Sequence, residues 1–216
     1  MKTPRPARGR PRTFDRNRAL KSAMDLFWTR GYDGASLEEL QKAMGDISPP
    51  SFYAAFGSKE ALFKEAVQLY RDTVGKCVGE ALQASPVRSG IDSMMRTAIE
   101  VFLSNKAAPG CMVTLGSLNS TRTNSAAHQQ MRAMRCEGNE MIRQRLQRAV
   151  EEGELSTDLP LADIAGFYTT VMHGLAVRAR DGATKPEMLT AVDGAMAAWP
   201  SLARAKRSTA RKKTRR

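Results

Sequence analysis

Ser36-Leu-Glu-Glu-Leu-Gln-Lys-Ala-Met-Gly-Asp-Ile-Ser-Pro-Pro-Ser-Phe-Tyr-Ala-Ala-Phe-Gly-Ser-Lys59 is the stretch on which the fold turns. Ser36-Leu-Glu-Glu39 has capping-box spacing, in which hydroxyl and carboxylate satisfy helix-terminal amides reciprocally. Leu37, Leu40 and Met44 share one helical face, and Gly45 ends it. A second short helix opens at Ser48-Pro49-Pro50, where proline is tolerated because first-turn amides have no intrahelical acceptor to lose. Phe52, Tyr53 and Phe56 supply its apolar contacts, and Gly57 closes it.

Both flanks are helical as well. Upstream, Leu20, Met24, Phe27 and Trp28 form a stripe over about 15–30, with Asp15 as N-cap and Gly31 as stop. Downstream, Ser58 caps a long connecting helix from Lys59 to about Leu82, with Leu62, Ala66, Leu69, Tyr70, Val74 and Cys77 on one stripe. Compact helices joined by a tight turn make a helix-turn-helix unit, whose last helix fits a DNA major groove. Pro86 marks a boundary, and further helices are expected at about 88–104, 110–118, 125–152, 160–180 and 186–199. The expected fold is all-α. Its parts are a basic disordered arm (1–12), a helix-turn-helix head (13–58), a connecting helix (59–85), a regulatory and dimerisation domain (86–200) and a basic disordered tail (201–216).

The formal charge of +12 is unevenly placed. The two terminal arms hold 13 cationic side chains and no acidic one, while the 188 residues between them hold 21 basic and 22 acidic. Such arms attract polyanions through counterion release. No window of about 18 apolar residues suggests a membrane span, and the basic N-terminus lacks the apolar core of a secretory signal. Three scattered cysteines without a CxxC pair fit a reducing cytoplasm. No P-loop, GxSxG, HExxH or dinucleotide fingerprint is present, so an enzyme is not expected, nor is a cofactor.

Thr13-Phe-Asp15, Leu26-Phe-Trp-Thr-Arg-Gly-Tyr32, Ser36-Leu-Glu-Glu-Leu40, Ser48-Pro-Pro-Ser-Phe-Tyr53 and Phe56-Gly-Ser-Lys-Glu-Ala-Leu62 follow one another in order. Together they resemble the DNA-binding domain of the TetR/AcrR repressor family over about residues 10–70, and Ser48 to Phe63 looks most like its ComR-like branch. Gly110-Cys-Met112 and the segment from Gly174 to Ala183 are similar, more weakly, to the regulatory part of that branch. Two departures stand out. Asp46 lengthens the turn by one residue between Gly45 and Ile47, and Ala55 replaces a phosphate-contacting histidine of many relatives.

The third helix carries no charge, so base reading falls to Ser51, Tyr53 and apolar contacts from Pro49 and Pro50. Ser36 and Ser58 sit at helix starts, where exposed amides favour an anion, and Ser48, which opens the third helix, is a further candidate DNA-binding residue. Lys59 and the Tyr53 hydroxyl match phosphate contacts of the family, and Arg10 and Arg12 are placed to enter a minor groove. The resemblance further implies a homodimer on a palindromic double-stranded operator, joined through the last two long helices. It also implies a small-molecule effector in the C-terminal domain. Met95, Phe102, Cys111, Met112, Leu115, Met131, Met134, Met172 and His173 are its candidate lining, although a methionine stripe at helical spacing is equally an ordinary core. Cys111, Cys136, His128 and His173 have copper-compatible chemistry in a branch that includes a copper responder, but no pair stands at ligand spacing and no metal is expected. The expectation is a cytoplasmic, ligand-responsive repressor. Its alternatives are a non-specific architectural DNA-binding protein driven by the arms, and an activator on the same fold.

Overall fold

The computed structural model describes residues 14–116 and 126–203, and every regular element among them is helical. The first three are α1 (Arg16–Gly34), α2 (Leu37–Ala43) and α3 (Pro49–Phe56). The local signals act where they were expected. The Asp15 side chain accepts from the Arg18 amide at 3.1 Å, and Ser36 and Glu39 form the complete capping box that starts α2. Gly31 breaks α1 at φ 71° and ψ 177°, but one more turn follows before Ala35. Ala19, Ala23, Met24, Phe27 and Trp28 are buried, and Leu20 is half-buried.

The turn between α2 and α3 absorbs its extra residue through two successive left-handed residues, Gly45 (φ 98°) and Asp46 (φ 57°). Aspartate tolerates that region better than most side chains, and glycine enters it without strain. The chain folds back so that the Ile47 amide donates to the Gln41 carbonyl at 3.1 Å, and Ile47 is buried under the head.

The connecting helix is not continuous. It comprises α4 (Lys59–Tyr70), a π turn over Arg71–Gly75, and α5 (Lys76–Ala81). The Thr73 hydroxyl donates to the Leu69 carbonyl four residues back at 2.6 Å, an interaction that bends helices, and Gly75 adds a weak propensity beside it. A π turn takes up an extra residue, so the apolar stripe slips around the axis beyond it. Cys77, expected on the stripe, is exposed, and Val78 packs inward instead.

The rest comprises α6 (Val87–Ser104), α7 (Met112–Leu115), α8 (Ala126–Glu151), α9 (Leu161–Arg180), α10 (Lys185–Ala197) and α11 (Trp199–Leu202). The element expected over 110–118 is a single turn at α7. Gly110 lies at φ 99°, outside the helical region, and residues 117–125 are not among those described. No described helix is long and apolar enough to cross a membrane.

Two apolar clusters result. One joins α6, α8, α9 and α10, with Trp199 tucked against Tyr168. The other centres on Phe27, Phe52, Phe56 and Phe63 of the head, yet takes in Met112, Ala127, Met131 and Met134 from beyond residue 86. Head and body therefore share packing through α7 and the start of α8.

Candidate nucleic-acid interface and cavity

In α3, Phe52 and Phe56 face inward and are buried, which fixes the rotation of the helix. Pro49, Pro50, Ser51, Tyr53 and Ala54 consequently face solvent. Tyr53 is 52% exposed and stands edge-on to Phe52, so it is a surface group supported by the core beneath it. The Ser48 hydroxyl accepts from the Ser51 amide and lies 2.9 Å from the Ser51 hydroxyl. Ser36 is exposed at the start of α2 while engaged in its capping box. Lys59 lies with its ammonium 4.6 Å from the centre of the Tyr32 ring, half-buried, and burial lowers its pKa against the pull of Asp33 and Glu39. Arg10 and Arg12 fall outside the described residues.

Arg16 is a structural residue that sequence reasoning passed over. Its guanidinium pairs with Glu65 at 2.8 Å, donates to the Ala55 carbonyl and lies 4.7 Å over the Phe56 ring. It thereby ties α1 to the end of α3 and to α4. Nothing in the local pattern marks it, because both partners are more than 38 positions away.

A cavity of about 360 Å³ lies between the α4–α5 junction and helices α6, α8 and α9. Of the residues expected to line it, Phe102, Cys111, Met134, Met172 and His173 do so. The others are elsewhere. Met95 is fully buried in the body cluster, Met112 and Met131 are fully buried in the head cluster, and Leu115 lies against Gly110. Tyr70, the π-turn residues Arg71, Asp72 and Gly75, and Arg135 also line the chamber, and none of these was anticipated. The Tyr70 hydroxyl points to the Cys111 sulfur at 3.6 Å, and burial pushes its pKa well up, so it stays a protonated donor. Burial, with the Arg135 charge nearby, lowers the pKa of His173. Cys77, Cys111 and Cys136 are free thiols, and no three His, Cys, Asp or Glu side chains among the described residues group to hold a metal.

The outer faces of α9 and α10 form a third feature. Ala162, Gly174, Ala191, Gly194 and Ala197 are exposed there beside Phe167 and Val177, while Ala165, Ala176 and Ala195 lie in the core. A Cβ built on Gly166, Gly174 or Gly194 would meet nothing within 4 Å.

A capped helix, a tight turn and a short helix with an outward face of proline, serine and tyrosine define a helix-turn-helix protein, here with a cavity-bearing helical body behind it. Residues 19–66 match the family model for bacterial regulatory proteins of the tetR family. Residues 91–193 match the tetracyclin repressor-like C-terminal domain. The chain is 33% identical to the transcriptional repressor BdcR of Escherichia coli K12 over 81% of its own length and 83% of that protein. It is 26% identical to the repressor ComR of the same organism, covering 91% of this chain and 94% of ComR. Among solved structures, a triple cysteine variant of the TetR-family regulator CifR, complexed with 26-bp double-strand operator DNA, is 41% identical. It superposes with a TM-score of 0.83 over 89% of this chain and all of that one. The chain belongs to the TetR family and is a helix-turn-helix, DNA-binding transcriptional repressor.

Proposed function

We propose that this repressor binds a palindromic operator as a homodimer and leaves it when a small molecule occupies the cavity beside Tyr70. The single observation that carries the coupling is the position of that cavity. One wall is the end of α4 and the π turn, which continue directly from the DNA-binding head, and the opposite wall is α8 and α9 of the body. A ligand that prefers one setting of that junction shifts the heads with it, and by no more than its differential affinity for the two settings.

Pro49, Pro50, Ser51 and Tyr53 would meet base edges and the backbone, with Ser36, Ser48 and Lys59 at phosphates. The outward placement of Pro49, Pro50, Ser51 and Tyr53 on a well-packed α3 supports this, as does the likeness to a regulator solved on operator DNA. The division into head (13–58), connecting helix (59–85) and regulatory domain (86–200) follows the same reading, as does action in the cytoplasm. Pairing through α9 and α10 rests on their small, outward residues, where helix backbones can approach closely. One short head buries too little DNA for specific affinity, so two are needed.

The test is selection of random duplexes by the purified protein at near-physiological salt, followed by sequencing. A palindrome with half-sites about one helical turn apart is the expected outcome. Recovery without any motif would transfer the function to the basic arms and an architectural role.

A further inference from the structure

We infer that the cavity is built for an apolar carboxylate, with Arg135 as the cation that receives its carboxylate group. The inference rests on reading the cavity as the effector site and adds the class of molecule it takes. Arg135 lines the chamber and is half-buried. Its Nη1 donates to the Val113 carbonyl at 3.1 Å, which uses one of the five N–H donors of a guanidinium. No carboxylate lies within 4.0 Å of it among the described residues. Nor does any undescribed side chain supply one, because residues 1–13, 117–125 and 204–216 contain no Asp or Glu. A cation withdrawn from water without a counter-charge is costly, and burial depresses the Arg135 pKa accordingly.

The neighbouring charges are already engaged. Glu137 pairs with Arg71 at 2.8 Å across the rim, Asp72 accepts the Gln68 amide at 2.9 Å, and Lys76 pairs with Glu80 at 3.6 Å. Beside Arg135, His173 is held toward its neutral form, so it adds an N–H donor without adding a second fixed charge. The Tyr70 hydroxyl stands at the same chamber as a neutral donor. The remaining surface, with Phe102, Met134 and Ile142, is largely apolar. A single unanswered cation in an apolar chamber matches a monoanion with an apolar body. A phosphate dianion would lack a second cation. Arginine suits the carboxylate because it presents two parallel N–H donors.

The experiment uses the full-length protein and the uncharged fluorescent dye N-phenyl-1-naphthylamine as cavity reporter. Dye displacement by 2-naphthoate and by methyl 2-naphthoate is measured for the native protein, Arg135→Gln and Arg135→Lys, and release of selected operator DNA is read in parallel. The acid should displace the dye at a concentration lower by roughly tenfold or more than the ester, the gain expected of a charge-assisted bond. That preference should vanish in Arg135→Gln and return in part in Arg135→Lys, each displacement being normalised to the dye affinity measured for the same protein. Equal displacement by acid and ester, or a preference that survives Arg135→Gln, overturns the inference. If the ester then releases DNA as well as the acid does, the effector reading stands and the carboxylate falls alone. If the dye does not enter the native protein, both fall together.

Discussion

The indole N–H of Trp28 donates to the carbonyl oxygen of Gly110 at 3.1 Å, across 82 positions of sequence. Trp28 belongs to α1 of the head, and Gly110 precedes Cys111 in the cavity wall. Arg180 closes the junction from α9, donating to the Pro109 carbonyl at 2.6 Å and to the Trp28 carbonyl at 3.3 Å. The Tyr70 ring stands edge-on to Trp28 at 4.9 Å. A displacement of the cavity wall at Tyr70 or Cys111 therefore bears on α1 within one layer of contacts.

Trp28→Phe keeps a ring against Tyr70 but leaves the buried Gly110 carbonyl without its donor. Unfolding stability should fall by about 1–3 kcal/mol, the cost of an unsatisfied buried acceptor, plus part of the lost ring volume. Chemical denaturation measures it. A variant as stable as the native protein would mean that the bond contributes nothing at this junction.

Tyr53→Ala should separate binding from stability. The side chain is largely solvated and closes no core, so the unfolding free energy should change by less than about 0.5 kcal/mol. Affinity for the selected operator should fall by roughly tenfold or more, as expected for a lost contact at the groove. Fluorescence anisotropy with labelled duplex reads it, and unchanged affinity would remove Tyr53 from the interface.

Ser36→Ala should cost about 1 kcal/mol through loss of the α2 cap. The pH response adds a second signature. Hydrogen bonds from the Ser36 backbone and hydroxyl hold the Glu39 carboxyl below its ordinary value of 4.5, and Thr184 does the same for Glu187. A group depressed in the folded state contributes fully above its unfolded pKa and loses that contribution as pH falls through the folded one. Urea midpoints taken from neutral pH downward should decline below about 4.5 and decline less steeply in Ser36→Ala. Parallel curves for the two proteins would contradict the linkage.

Gly174→Glu tests the pairing face. A Cβ there meets nothing within the protomer, and glycine is the poorer helix former by roughly 0.5–1 kcal/mol, so the isolated fold should be unharmed. Placed between two apposed helices, the charge should turn a dimer into a monomer at micromolar concentration. Light scattering after gel filtration decides it, with circular dichroism confirming helix content. A dimeric variant would move the interface away from this face.

The parts legible from sequence are those governed by neighbours in the chain. Asp15, Ser36 and Ser58 each cap a helix through a side chain reaching three residues ahead, and Phe52 and Phe56 share a face by helical period alone. These signals determined the helical class, the two short helices and the turn between them, and with them the outward placement of Pro49, Pro50, Ser51 and Tyr53. The tertiary structure decided what local pattern does not encode. Met112 and Met131 carry the same apolar signature as Met172, yet the first two fill the head core, Met172 lines the cavity, and Met134 sits at the boundary and does both. A stripe specifies that a side chain is buried, whereas core and cavity differ in how far the facing helices stand apart, which side chains from several distant elements set together. Arg135 and Arg16 show the same division among charges. Arg16 reaches Glu65 from 49 positions away, whereas Arg135 lines the chamber with no carboxylate within 4.0 Å of it among the described residues, and only the assembled fold distinguishes them.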